Sequence, residues 1–475
     1  MTSTNINPLD IPEIRSMVGQ YLDQSDLARC SRVCKSWQAS FVPLVWSTTS
    51  VVPEIYSSGR NPPLEAFIRY NHYIKDLYLD IDAPEDYRVA PCPNLLKLRI
   101  HIMPIYLKKE PVDIVQVVIA PYDQLRRLTI LSTYVDSQCV IWEPVHYHNL
   151  TELELYRLEI EPAGTTAFWV LCAQLESLKI EKVSIAELPA RSITFDRLQH
   201  LDLELESQNP MKRQLDWITQ CPNLTSLDWY CRTDIDGEPT SRFMSRFVPG
   251  TWPHLRELSL AGVEFTDAQL AKVIGAMQDL KSLTVNACKV GSCFLKALRR
   301  HHSQTLISLD TTSCEVLTRS FVPGILTSFP HLEKLYVRPV MCEDIIDSPP
   351  WVCEHSLKLL YIGFLVTPNQ DAEYHQQVFK RISRLTNLEE IQLVRGPRGT
   401  STLDFTLENG LEHLATWKRF EIFSLFTHTS RFSARDVEWM INNWKNLKRV
   451  QGTLHPDKKD ECVAMFQAAG IEYWS

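Results

Sequence analysis

The chain has 475 residues, 44% of them apolar and 22% charged, proportions that predict an ordered, packed protein rather than a disordered one. With 57 acidic against 49 basic side chains and no long Lys/Arg block, the surface is not built to neutralise phosphates, so no nucleic-acid partner is expected. No stretch approaches the roughly eighteen uninterrupted apolar residues of a membrane helix, and residues 1–8 lack the basic start and apolar core of a signal peptide.

A cytoplasmic or nuclear setting without a membrane partner follows as the expectation. The thirteen cysteines are scattered from Cys30 to Cys462 without Cys-x-x-Cys pairs, which predicts reduced, mostly buried thiols rather than a disulfide framework or a zinc site.

Residues 1–8 read as a flexible start. The segment 9–47 is punctuated differently from everything after it: Leu9-Asp10-Ile11-Pro12-Glu13-Ile14, then Val18 and Leu22, Asp26-Leu27, Val33-Cys34-Lys35-Ser36-Trp37, and Leu44-Val45-Trp46. Pro12 suits the first turn of a helix, where its missing N–H costs nothing, and Ile14, Val18 and Leu22 then recur on one face. Ser25 is the expected N-cap of a second helix starting at Asp26. A third helix carrying Trp37 and Phe41 should stop before Pro43. Three short helices bury too little apolar area to be more than marginally stable alone, so an external partner is expected.

This ordered run resembles an F-box, the module that docks receptor proteins onto the Skp1-type adaptor of cullin-RING ubiquitin ligases. The family usually opens with Leu-Pro and one further residue before the Glu, whereas here Ile11-Pro12 stands directly against Glu13. The resemblance implies adaptor contacts from Pro12, Ile14, Val18, Leu22, Leu27, Val33, Cys34 and Trp37, and through the adaptor a cullin. Packing of Trp37 and Trp46 against the following domain is the structural alternative.

Residues 48–73 read as a linker and capping helix. From 74 to 454 a repeat takes over: an apolar residue, two variable ones, an apolar residue, one variable, and an apolar residue again, as in Leu150-Thr151-Glu152-Leu153-Glu154-Leu155. Fifteen candidate units start at Ile74, Leu95, Leu125, Leu150, Leu175, Leu198, Leu224, Leu255, Leu280, Leu306, Leu332, Leu357, Leu388, Trp417 and Leu447. Seven of the fourteen gaps between starts are 25 or 26 residues, a regularity that the choice of windows did not impose. Only Thr311 and Gly452 break the apolar pattern.

Side chains alternate faces along a strand, so in one unit Leu153 and Leu155 go inward while Glu152, Glu154 and Tyr156 face out. Helical returns are predicted at 267–277 with Thr266 as N-cap, and near 211–219, 372–382 and 434–443. No unit can bury its apolar face alone, so neighbours must stack.

Residues 74–454 resemble leucine-rich repeats in the longer form with a helix per unit. The resemblance implies an α/β solenoid with parallel strands on a concave face and helices on the convex face, preceded by the small all-α head. The family's ninth-position Asn or Cys appears only as Cys288 and Cys314, while Val183, Arg232 and Gly396 occupy that slot elsewhere. Residues 455–475 read as a cap, with a helix at 457–469 whose Cys462, Val463 and Phe466 face inward and cover the last repeat.

An enzyme should display a nucleophile, base or metal constellation, and none has credible spacing, so no catalytic residue, cofactor or metal is assigned. His146 and His148 read as exposed loop residues, and His301-His302 as cations at a helix C-terminus. Cys288 with Cys293, and Cys30 with Cys34, read as core residues. Any hidden site would sit in the inserts 234–250 and 339–350.

The outward strand positions offer an acidic stripe with two tyrosines: Glu152, Glu154, Tyr156, Asp202, Glu204, Asp228, Tyr230 and Glu257. Such a stripe could steer a basic protein segment, or it could be a solvated face and no more. The resemblances together imply a non-catalytic substrate receptor of an SCF-type ligase acting in ubiquitin-dependent degradation. The alternative is a scaffolding protein that uses the same head and repeats.

Overall fold

The computed structural model describes residues 7–53, 61–102, 112–113, 122, 124–133, 138–142, 147–206, 211–231, 243–263, 265–367, 372–396, 401–430, 432–454 and 458–474. Two units, Met1–Leu224 and Thr225–Ser475, are each taken by themselves.

In the first unit the leucine slots build a ladder of parallel strands, β1 (Thr48–Val51), β2 (Asp76–Asp80), β3 (Lys97–Ile102), β4 (Arg127–Ser132), β5 (Glu152–Tyr156), β6 (Ser177–Ile185) and β7 (His200–Leu205), each hydrogen-bonded to the next. The register sets Leu77, Leu98, Leu128, Leu153, Leu178 and Leu201 side by side, all at most 2% exposed. Each such side chain contributes about 2 kcal/mol of transfer free energy, and only the stacked neighbour makes that burial possible.

Behind the strands an aromatic layer fills the return side. Trp169, on the helix Thr165–Cys172, meets Phe168, Phe195 and Trp217 edge-on at centroid distances of 4.7–6.3 Å.

The head is part of this first unit. Helices α1 (Pro12–Gly19), α2 (Gln24–Cys30) and α3 (Lys35–Ser47) pack around Phe41 and Leu27. Gly19 lets α1 lie close to α3, since a Cβ there would press on the end of the Leu44 side chain and stand 3.1 Å from the buried Phe41 ring. The buried Arg15 guanidinium donates to Ser40 Oγ (3.0 Å) and to the Leu9 carbonyl (2.9 Å), tying α1 to α3 and to the preceding turn.

Two expectations for the head are corrected. Asp23, not Ser25, caps the second helix, accepting from the Asp26 N–H at 2.8 Å, and the helix starts at Gln24. The third helix runs through Pro43 to Ser47. The carbonyl that Pro43 leaves without an intrahelical donor belongs to the exposed Ala39 and is open to water, which lowers the cost of the interior proline. Because α3 ends at Ser47 and β1 begins at Thr48, head and ladder join without a spacer. The ladder therefore starts one strand before the first expected unit, in a segment where Thr49 fills an inward slot and hides the apolar pattern.

The second unit repeats the design with β8 (Ser226–Tyr230), β9 (Glu257–Ala261), β10 (Ser282–Val285), β11 (Ser308–Asp310), β12 (Lys334–Tyr336), β13 (Leu359–Ile362), β14 (Glu390–Val394), β15 (Ile422–Ser430), β16 (Arg449–Leu454) and β17 (Glu472–Trp474). All pair in parallel with their neighbours. The tail is thus a further strand of the ladder, behind the helix Lys459–Ala468 whose Cys462 and Phe466 are buried and whose Val463 is half-buried.

The unit read from Trp417 is corrected by three residues. Phe423 stands opposite Ile391 and Val450, so the true slots are Phe420, Phe423 and Leu425. Helices occupy Met211–Ile218 in the first unit and Asp267–Gly275, Ala372–Ile382 and Ala434–Asn443 in the second, and Thr266 with Gln269 forms a capping box.

Cys288 and Cys314 donate to the carbonyls of Val263 (3.1 Å) and Val285 (3.0 Å), tying one repeat to its predecessor. A second tie recurs just before the leucine slot. The side-chain amides of Asn94, Asn223, Asn387 and Asn446 donate to the carbonyls of His72, Asp196, His355 and Lys418 at 2.6–2.7 Å.

Thr311 is fully buried in an apolar slot, and its hydroxyl finds no partner among the described residues. Replacing it with valine keeps the shape and removes an unsatisfied group whose burial costs about 1–3 kcal/mol. Thr311→Val is therefore expected to raise the melting temperature by about 2–4 °C, and a fall on thermal scanning would refute this.

Candidate functional site

Among the described residues, five of the twelve large apolar side chains that remain exposed fall within residues 11–33: Ile11, Met17, Val18, Tyr21 and Val33. This concentration singles out the head as an unfinished surface. Of the residues that the resemblance placed at the adaptor, Pro12, Val18, Val33 and Cys34 are exposed and Ile14, Leu22 and Trp37 are half-buried. Leu27 is buried, so it packs inside the head instead of offering surface. Met17 at 63% and Tyr21 at 89% exposure extend the face, and neither is among the residues that the resemblance placed at the adaptor. Their signal was a second pair four residues apart, Met17 on α1 and Tyr21 just beyond its end, parallel to Val18 and Leu22. Cys34 lies 3.2 Å from Ser36 Oγ, and that hydroxyl holds its thiol below the ordinary value.

The outward ladder face of the first unit is not a bare acidic stripe. Arg127 is ion-paired with Glu152, and Glu154 accepts from Thr129 Oγ1 (3.2 Å) and the Tyr156 hydroxyl (3.3 Å). Lys179 bonds Asp202 at 2.5 Å, lies 3.6 Å from Glu181, and stands 5.6 Å from the Tyr156 ring centroid. Burial works against its charge, yet the hydrogen bond to Asp202 raises Lys179 to about 12. Burial and the neighbouring Glu154 push Tyr156 up to about 12 as well. Glu204 also lies on this face, on β7.

Asp228, Tyr230 and Glu257 lie on the second unit, where Glu257 accepts from Ser226 Oγ at 3.3 Å. In the first unit the stripe is thus a lattice of contacts in which Arg127 and Lys179 sit between the acids. Further along the second unit, Asp310, Tyr336, Tyr361 and Gln392 stand in one register row. The tyrosine rings are 6.0 Å apart, and burial raises both phenols above their ordinary value. The row of the terminal strands ends in Trp474, half exposed, with the Arg449 guanidinium 4.3 Å from its ring centroid.

The histidine and cysteine readings hold at His148 and Cys288 and are corrected at His302, Cys34 and Cys293. His148 is exposed, while His146 lies outside the described residues. Cys34 and Cys293 are exposed, whereas Cys288 is buried and Cys30 half-buried. Part of the insert 234–250 and Arg232 also lie outside the described residues. Among the described residues, no group of three or more His, Cys, Asp or Glu is placed to hold a metal ion.

His302 is no terminal cation. It is fully buried, accepts from the Leu280 N–H at Nδ1 (3.2 Å) and faces the Ile274 carbonyl with Nε2 (3.1 Å), which is the neutral tautomer. Desolvation lowers its pKa below 6.5. The unfolded chain therefore takes the proton first: the stability from His302 is complete above pH 6.5 and drains as the pH falls toward the depressed folded value. Melting temperature is expected to drop more steeply between pH 6.5 and pH 5 in the native chain than in His302→Gln. Equal slopes in the two proteins would show that the ring titrates freely.

Two family models match the chain. One, described as F-box-like, covers residues 12–50, and the other, described as FBD-associated F-box protein At5g56370, LRR repeats, covers residues 186–395. No curated protein matches. Similar solved structures include a leucine-rich-repeat protein of Leptospira interrogans, 16% identical with a TM-score of 0.43 over 86% of this chain and 98% of that one. Another is an internalin of Listeria monocytogenes, 14% identical with a TM-score of 0.43 over 76% of this chain and 89% of that one. The fold rests on the ladder pairings themselves. The chain carries an F-box-like head and an F-box-associated leucine-rich-repeat region.

Proposed function

We propose that this F-box/leucine-rich-repeat protein is the substrate-recognition subunit of an SCF-type ubiquitin ligase, working in the cytoplasm or nucleus. The head docks a Skp1-type adaptor and through it a cullin, and the repeat surface holds a target protein. The chain itself makes and breaks no bonds; it keeps the target's lysines near a separately bound conjugating enzyme, and proximity supplies the rate.

The observation that carries this reading is the exposed apolar face of α1 and the α2–α3 turn on a head fused directly to β1. A marginal three-helix head with such a face gains stability by burying it against a partner, and the absence of a spacer transmits the docked orientation to the ladder of the first unit. For the target we assign the outward ladder faces, where Glu152, Glu154, Tyr156, Asp202 and Glu204 in the first unit and Asp228, Tyr230 and Glu257 in the second surround half-buried aromatic anchors. Because Arg127 and Lys179 already sit among these acids, a basic segment would gain from them only by displacing internal partners.

The test is affinity purification of the tagged full chain with quantitative mass spectrometry. Recovery of adaptor and cullin together supports the proposal. Adaptor without cullin would favour a scaffolding role, and neither would overturn adaptor docking.

A further inference from the structure

Beyond the main ladder, the second unit carries short secondary strands between its main strands and the helices that follow them, and these break in the middle. Lys289–Val290 pairs in parallel with Glu315–Val316, and Val340–Met341 pairs with Phe364–Leu365, but the two sheets stay separate. A cleft of about 240 Å³ lies between them, lined by Val316 and Leu317 on one edge and Val340 and Met341 on the other, with Arg319 and Arg338 beside them.

Parallel pairing fixes which backbone groups face this gap. The N–H groups of Glu315 and Leu317 donate to the carbonyls of Cys288 and Val290, so the alternation along the strand turns the N–H and C=O of Val316 toward the cleft. On the far edge the Val340 N–H donates to Gly363, which leaves Met341 N–H and the Pro339 carbonyl on the cleft side. Pro339 has no N–H to offer, so the two edges cannot zip together through it. Leu317 is 47% exposed over the cleft. Both arginines are exposed; burial raises Asp344 in the same cleft and Arg319 works against that rise, so Arg319 is already partly engaged and Arg338 is the less committed cation.

We infer that this gap is a strand-addition site for an extended peptide of a partner protein that carries an acidic residue next to an apolar one. The peptide backbone takes the free groups of Val316 and Met341, its apolar side chain covers Leu317 and the half-buried Met341, and its carboxylate meets Arg338. The inference deepens the reading of the repeats as a target-binding surface and rests on it.

The test is selection of random octapeptides displayed on phage against the full chain, followed by fluorescence polarisation with the recovered peptide carrying fluorescein. Recovered peptides should share an acid beside an apolar residue. Val316→Pro, which deletes the open donor at an edge that tolerates proline, should weaken binding by about tenfold or more. Arg338→Glu, an exposed charge reversal with no folding role, should weaken it by at least about fivefold, as should exchange of the peptide's Glu for Gln. Melting temperatures identify any variant that is unfolded, in which case Arg338→Glu decides. Recovery of no peptide, or binding unchanged in Arg338→Glu, would overturn the site. Adaptor co-purification does not involve this cleft, so its outcome is read separately.

Discussion

The double variant Met17→Asp, Val33→Asp is expected to lose at least about 100-fold in affinity for a Skp1-type adaptor, about 2.7 kcal/mol, while its melting temperature stays within about 2 °C of the native chain. Both side chains are more than 60% exposed, so the folded head gains almost nothing from them and loses almost nothing when they become charged. On the docking face proposed above the same positions would be buried by the adaptor, where an unpaired carboxylate carries its full desolvation cost. Titration calorimetry with purified adaptor, alongside thermal scanning, separates the two effects. An affinity loss under threefold would mean that the adaptor lies elsewhere. Leu27→Asp is the contrasting control: at 7% exposure it should unfold the head and abolish binding for a structural reason.

The repeat was legible because strand geometry writes itself into spacing: two inward slots per unit must be apolar, and the register brings Leu153 beside Leu128 and Leu178 as that pattern requires. It failed where another residue could fill the slot. Thr49 hid the first strand, and the aromatic run Trp417, Phe420, Phe423 offered two overlapping readings that only pairing with Ile391 resolves. Pro43 misled because a proline's cost depends on whether the orphaned carbonyl reaches water, which is a tertiary fact.

The acidic stripe was read from one strand at a time, whereas Arg127 and Lys179 that temper it come from neighbouring strands some 25 residues away in sequence. Conversely, the Asn-Leu dipeptides at Asn94, Asn223, Asn387 and Asn446 were visible and were passed over, because their meaning lies in the preceding repeat's carbonyl.

Asp267→Ala is expected to destabilise the second unit by about 2–4 kcal/mol, more than a helix cap ordinarily contributes. The helix Ser292–His302 begins after Gly291, which has no side chain to cap it. Its N-terminal amides are satisfied instead by the preceding repeat: Gly291 and Phe294 donate to Asp267 Oδ1 at 2.8 and 2.9 Å, and Cys293 donates to Oδ2 at 2.9 Å. Three of the orphan donors of a helix start thus converge on one carboxylate, placed where the helix dipole favours a negative charge. Glycine at 291 admits this approach, since a Cβ there would stand 3.0 Å from Asp267 Oδ2.

In a solenoid such a contact is a nearest-neighbour coupling, so its loss should loosen the joint between two repeats before it lowers the global transition. Hydrogen exchange should therefore show the amides of residues 293–296 opening in Asp267→Ala, with the helix Ala434–Asn443 unaffected. Asp267→Asn, which keeps the shape and loses the charge, should fall between. Protection unchanged at 293–296 in the alanine variant would show that the carboxylate is a bystander and that helix packing alone, through the buried Phe294, Leu295 and Leu298, holds this joint.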